Sequence, residues 1–275
     1  HCLLDPQGSP FFSLGIVHVG AYPEGEGRLL FDQKYGGDWN NLAPKIVSDF
    51  EDWGFNTAGY HSPLTLLEYM PLLRDSYPAP ISYWMGKPAY PDVFDPAYRA
   101  QVEEQLEIMC APVRDHSNLI GYYWTDTPRW DLARARSQCG TDWVSAIRSL
   151  PPTAPGKRRY VTYLQEVCRD AAEMQVYAGG AAPAEDPLLH SDWSRLDLDH
   201  PVVTRHDREF LRLIARQYYA TAFAATRKAD PDHLLFGDRY LVGDLPPKVL
   251  EEALPFVDVL SVQPYETTFD RGFFD

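Results

Sequence analysis

Six short apolar runs, separated by longer stretches of helical spacing, constrain this chain more than any other feature. The runs cover residues 11–17, 55–60, 80–85, 118–124, 233–237 and 257–263. Short apolar runs bounded by turn residues read as buried strands. Their alternation with helices is the pattern of a parallel sheet covered by helices. Helical spacing occurs over 41–53, 96–109, 161–174, 207–229 and 247–254. Asp95 stands before Pro96 as an N-cap precedes an N1 proline. The expected class is α/β, and α/β barrels reach about 250 residues as one unit.

The runs share one property beyond their hydrophobicity. They lead into residues able to do chemistry or to bind a sugar: His18, His61, Trp84, Asp126, Asp238, Arg239, Tyr265 and Glu266. In a (β/α)8 barrel of the TIM type the active site lies at the C-terminal ends of the strands. The repeat is interrupted over about 130–205, which holds Pro151-Pro152, Gly179-Gly180 and an Ala/Pro-rich stretch. That stretch reads as an insertion with helices and a long irregular segment, within one domain over 1–275.

Asp126 follows the run Leu119-Ile120-Gly121-Tyr122-Tyr123-Trp124. A carboxyl packed on apolar rings resists ionisation, which suits a general acid that protonates a leaving-group oxygen. The alternatives are a loop cap, or an ion pair with Arg129 or Arg239. Glu266 is the candidate second carboxylate, as glycoside hydrolysis uses two. Asp238 beside Arg239 reads as half of an ion pair that orients substrate. His18 and His61 suit hydrogen bonds to sugar hydroxyls, with satisfied core histidines as the alternative, and no acidic third ligand stands at metal-binding spacing. The 7 Trp, 17 Tyr and 13 Phe fit a large core. They also fit stacking on the apolar faces of sugar rings, with Trp84 and Trp124 at strand ends.

Several function classes are disfavoured. The chain lacks G-x-S-x-G, which disfavours an α/β-hydrolase, and it lacks G-x-x-x-x-G-K-[ST] and a G-x-G-x-x-G after a strand, which disfavours nucleotide-dependent chemistry; no cofactor is implied. With 25 Lys+Arg against 39 Asp+Glu, the net charge of −14 argues against nucleic acid. No apolar run approaches about 18 residues, so no membrane span is expected. Cys2, Cys110, Cys139 and Cys168 form no C-x-x-C pair and read as free thiols, with one disulfide open in a secreted protein. The chain begins at His1 rather than Met, which fits a processed or trimmed N-terminus.

Five segments, in order, resemble the β-agarases and their relatives among the clan A glycoside hydrolases. They are the opening Leu4-Asp5-Pro6-Gln7-Gly8-Ser9-Pro10-Phe11-Phe12-Ser13-Leu14-Gly15, then Tyr90-Pro91-Asp92-Val93-Phe94-Asp95-Pro96, then His116-Ser117-Asn118-Leu119-Ile120-Gly121-Tyr122. Two more follow: Asp230-Pro231-Asp232-His233-Leu234-Leu235-Phe236-Gly237-Asp238-Arg239-Tyr240 and Val257-Asp258-Val259-Leu260-Ser261-Val262. The resemblance implies a (β/α)8 barrel acting on a β-linked, galactose-containing polysaccharide, secreted or periplasmic, with a carbohydrate as its partner. The family carries an Asn-Glu pair at the end of the fourth strand. Those positions fall here on Asp126 and Thr127, and Thr127 is no general acid. The family's nucleophile is a Glu at the end of the seventh strand, and this chain reaches Asp275 just after the sixth run. The resemblance therefore implies about the first six βα units of an incomplete barrel. Either Asp126 has taken over the acid's role or the chemistry is altered or lost; in the first case Asp126 is the proton donor, with His18, His61, Trp84, Trp124, Asp238, Arg239 and Tyr265 around the sugar. A barrel that binds carbohydrate without cleaving it is the rival expectation, and oligomeric state is left open.

Overall fold

The computed structural model describes residues 3–5, 7–20, 24–177 and 188–265. A short antiparallel pair, β1 (Leu3–Leu4) and β2 (Pro10–Phe11), precedes the main sheet. Asp5 closes the turn between them by accepting the N–H groups of Gln7 and Ser9. The main sheet has six parallel strands in sequential order. They are β3 (Gly15–Ile16), β4 (Thr57–Ala58), β5 (Leu72–Asp75), β6 (Leu119–Asp126), β7 (Leu234–Leu241) and β8 (Ser261–Gln263). Parallel neighbours in chain order, joined by helical crossovers, are the connectivity of an α/β barrel. The sheet is the curled sheet of a partial one.

Five of the six apolar runs contain a strand. The exception is 80–85, which forms a 3-10 turn at Tyr83–Met85 and one isolated bridge, Ser82 to Pro128. The third strand is instead β5. Four residues ending in Arg74 and Asp75 are too short and too charged to stand out as an apolar run.

Several helices begin where a side chain caps them. The first two, α1 (Gly25–Tyr35) and α2 (Trp39–Trp53), lead from β3 to β4, and α3 (Pro96–Cys110) leads from β5 to β6. Between β6 and β7 lie α4 (Leu132–Cys139), α5 (Trp143–Arg148), α6 (Pro155–Val167), α7 (Ala171–Tyr177) and the long α8 (Pro201–Ala229). The last, α9 (Pro247–Ala253), leads to β8. Asp38, Asp95, Asp131 and Asp142 each accept a backbone N–H at the start of their helix, contributing about 1 kcal/mol apiece. The single helix expected over 161–174 is two, because Asp170 accepts the N–H groups of Ala172 and Glu173 and starts a new turn.

The core lies between the sheet's convex face and the helices. Tyr122 and Trp124 of β6, with Trp130, Trp143, Phe210, Tyr218 and Tyr219, are fully buried there. Trp130 stacks on Trp143 at 5.1 Å, which ties the interrupting segment to α8. A buried ion pair between Arg148 and Asp207 joins α5 to α8, and the Tyr160 hydroxyl donates to Asp207 at 3.1 Å. Within 130–205 the described residues form helices and turns and no strand. Cys110, Cys139 and Cys168 are free thiols, and Cys2 lies outside the described residues. Among the described residues no helix is long and apolar enough to cross a membrane.

Candidate functional site

Strand alternation sorts side chains between the helix-covered face and the concave face. On β5, Arg74 reaches Met109 of α3 at 3.9 Å, so Leu73 and Asp75 face the concave side. On β6, the Tyr122 hydroxyl donates to Asp230 at 2.6 Å and the Trp124 indole N–H to Thr226 at 3.1 Å, both towards α8. On β7, Asp238 and Tyr240 meet Tyr218 and Tyr219 of α8, while Arg239 turns to the concave side.

A cavity of about 1000 Å³ opens at the C-terminal ends of the strands. Its floor is set by His18, Tyr60, His61, Tyr77 and Asp126, and one wall by Ser82, Trp84 and Met85. Tyr265 closes another side. Volumes of about 300–1,000 Å³ hold ligands of several rings.

Asp126 anchors a polar network in this floor. Its Oδ1 accepts the Gln263 side-chain N–H at 3.0 Å and stands 3.3 Å from Arg239 Nη1. Gln263 also donates to the Arg239 carbonyl at 2.9 Å and accepts the Tyr265 hydroxyl at 2.7 Å. The Arg239 guanidinium lies 4.1 Å from the Tyr60 ring centroid. Tyr60 stacks on His61 at 4.6 Å, and the edge-on rings of His18 and His61 are 5.3 Å apart. The Tyr77 hydroxyl bonds both the Tyr60 hydroxyl and, at 3.3 Å, His61 Nε2. Burial, helped by the neighbouring His61 and the Arg239 guanidinium, holds the His18 pKa below its ordinary value. A neutral imidazole can both donate and accept a hydrogen bond. Burial pushes the Tyr60 phenol up to about 12.

Backbone strain marks the same place. Five non-glycine residues have left-handed backbones: His18, His61, Tyr77, Thr127 and Tyr265, with φ between 44° and 58°. Each stands just past the C-terminal end of a sheet strand. Such conformations are uncommon for bulky side chains and concentrate at functional sites.

The residues singled out from the sequence divide accordingly. His18, His61, Trp84, Asp126 and Tyr265 line the cavity, and Arg239 stands behind Asp126. Trp84 is 68% exposed and reaches the cavity from a loop, not from a strand end. Two expectations are corrected. Trp124 is 0% exposed with its indole bonded to α8, so no ring face is open to a sugar. Asp238 is also 0% exposed, and it accepts Thr125 N–H, Tyr218 and Tyr219 rather than pairing with Arg239. Arg239 pairs with Asp126 instead, so that carboxylate is hydrogen-bonded and ion-paired rather than set against bare rings. Glu266 lies outside the described residues. Among the described residues no group of three or more His, Cys, Asp or Glu side chains is placed to hold a metal. Sequence reading missed Tyr77 and Asp75, which belong to the unrecognised β5 and its extension.

No family model matches the chain. It is 24% identical over 273 residues to Beta-agarase B of Vibrio sp. (strain JT0107), covering 90% of this chain and 28% of that protein. Beta-agarase A of the same strain is 24% identical over 299 residues, with 95% of this chain and 28% of the relative covered. The chain thus spans under a third of the length of these relatives. Among solved structures, the agarase AgWH50C superposes with a TM-score of 0.75 at 17% identity, over 96% of this chain and 47% of that one. An exo-beta-agarase gives 0.70 at 17% identity, over 89% and 34%. The chain is therefore β-agarase-like in sequence over most of its length, and its curled sheet has the fold of agarase structures.

Proposed function

We propose that this chain is a glycoside-hydrolase unit, spanning 1–275, that cleaves a β-linked, galactose-containing polysaccharide. The observation that carries the reading is a cavity at the strand ends with one carboxylate, Asp126, opening into it beside the exposed ring of Trp84. In this reading Asp126 handles the proton of the scissile oxygen. His18 and His61 bond hydroxyls, Trp84 stacks on a ring, and Tyr265 covers the bound sugar. Arg239 fixes the Asp126 carboxylate from behind. Glu266 is the proposed partner carboxylate, next in sequence to the cavity residue Tyr265. The similarity to β-agarases supports agarose as the first substrate to try.

The test is release of reducing ends from agarose by the protein and by Asp126→Asn. The proposal expects turnover in the first and a loss of at least 100-fold in the second. Equal rates would remove Asp126 from the chemistry.

A second reading is favoured by one detail. One Asp126 oxygen already holds Gln263 and faces Arg239, and Thr127 follows Asp126 in the sequence. A site committed in this way suits binding without cleavage. Calorimetric binding of agarose oligosaccharides with no reducing ends after prolonged incubation would select it.

A further inference from the structure

Among the described residues Asp75 is the concave-face carboxylate to which the proposed function gives no role. It closes β5 and is 7% exposed. Seven aspartates are buried among the described residues. Six of them, Asp126, Asp142, Asp207, Asp230, Asp238 and Asp244, accept at least one hydrogen bond. Asp75 accepts none there. Arg74 Nη1 stands 3.9 Å away, at the limit of an ion pair and beyond hydrogen-bond distance. A carboxylate offers only acceptors, and the Asp75 oxygens are not among the polar side-chain atoms closed off from solvent without a partner. An acceptor that the protein leaves open in this way can take a donor from a ligand.

The surroundings say which ligand. Backbone bonds from Ser76 N–H to Tyr123 and from Tyr77 N–H to Trp124 fix the extension of β5 against β6. Tyr77, two residues past Asp75, lines the cavity, whereas Asp75 is not itself a lining residue. The Asp75 charge acts on Tyr77, Tyr60 and His18, all cavity residues. Among the described residues the cavity lining holds phenols, imidazoles, two glutamines, a serine, the Asp126 carboxylate and apolar side chains, and no lysine or arginine. That chemistry fits a neutral polyol.

We infer that Asp75 is a ligand-reading carboxylate of this site, an acceptor kept open for hydroxyl hydrogens of a sugar. The inference rests on the carbohydrate reading of the cavity and adds to it a second carboxylate on the concave face. Asp75→Asn keeps the shape and removes the charge. Its melting temperature without ligand and its affinity for an agarose-derived tetrasaccharide are measured beside the parent protein. The expected result is a melting temperature unchanged or raised, with affinity at least tenfold weaker. Affinity within twofold of the parent overturns the inference, whatever the melting. If both fall, monodeoxy tetrasaccharides decide. One missing hydroxyl must then weaken binding tenfold in the parent and leave the variant unaffected, and the lack of any such hydroxyl overturns the inference. If the parent binds no tetrasaccharide, the carbohydrate reading fails by itself. A lower melting temperature in Asp75→Asn would then make Asp75 a structural partner of Arg74 and overturn the inference too. A raised one would keep it as a carboxylate held open for another ligand.

Discussion

Asp126 and Asp238 stand on adjacent strands near the same end of the sheet, yet they face opposite ways. Asp126 opens into the cavity, whereas Asp238 points into α8 and is held by Thr125 N–H, Tyr218 and Tyr219 at 2.9–3.0 Å. Burial pushes the Asp238 carboxyl up to about 6, despite those donors. The sign of its effect on stability follows. The unfolded chain ionises this group near 3.8, so between there and about pH 6 the folded state keeps a proton that the unfolded state gives up. Its contribution therefore falls as pH rises through that window and is flat above it. The loss is on the order of 3 kcal/mol at 1.36 kcal/mol per unit. Urea unfolding at pH 4, 5, 6 and 7 checks this. Asp238→Asn should show a shallower decline than the parent between pH 4 and 6, and parallel curves would place the ionisation elsewhere. The sequence marked both aspartates as strand-end acids, but not their faces. The β6–β7 register shifts between Tyr123 and Asp126, and one shifted residue exchanges the two sides of a strand. The same limit hid the burial of Trp124.

At the scale of elements, β6 and β7 leave no room for a side chain at Gly121. A Cβ there would lie 2.1 Å from the Leu234 carbonyl oxygen, a backbone atom that cannot swing aside. Gly121→Ala should separate the two strands locally and cost about 3 kcal/mol, the upper range for overpacking. The denaturation midpoint measures it, and a change under about 0.5 kcal/mol would mean that the strands have room to part. Most elements were legible because their signals are local. The Asp95-Pro96 start of α3 and the apolar side of α8 needed nothing beyond their own residues. What failed was set by tertiary partners. Residues 80–85 are apolar enough for a strand, but Tyr83 N–H bonds the Thr127 carbonyl and the turn Tyr83–Met85 follows. The short, charged β5 takes its pairing from β4 and β6. Missing β5 also meant missing Asp75 and Tyr77, so an error about one element became an error about the site.

Across the molecule, the cavity wall that carries Trp84 is held by three strand-end loops acting together. Tyr83 stands in the loop after β5, Arg129 in the loop after β6 and Asp244 in the loop after β7. The Arg129 guanidinium lies 4.0 Å from the Tyr83 ring centroid and forms an ion pair with Asp244, both charges being buried. Removing one partner of a buried pair leaves the other charge uncompensated, which costs about 3–5 kcal/mol. Asp244→Asn should lower stability by that amount. If the three loops work as one support, it should also weaken tetrasaccharide binding to about the extent of Trp84→Ala, because the ring loses its base. Tyr83→Leu separates the two effects. It removes the cation–π contact, worth roughly 0.5–2 kcal/mol, and leaves the buried pair intact. Its stability loss should be the smaller one, while its loss of affinity should approach that of Asp244→Asn. Calorimetry and denaturation on the three variants give both quantities. Should Tyr83→Leu bind as tightly as the parent, the Trp84 wall stands without Arg129, and the buried pair serves the barrel's stability alone.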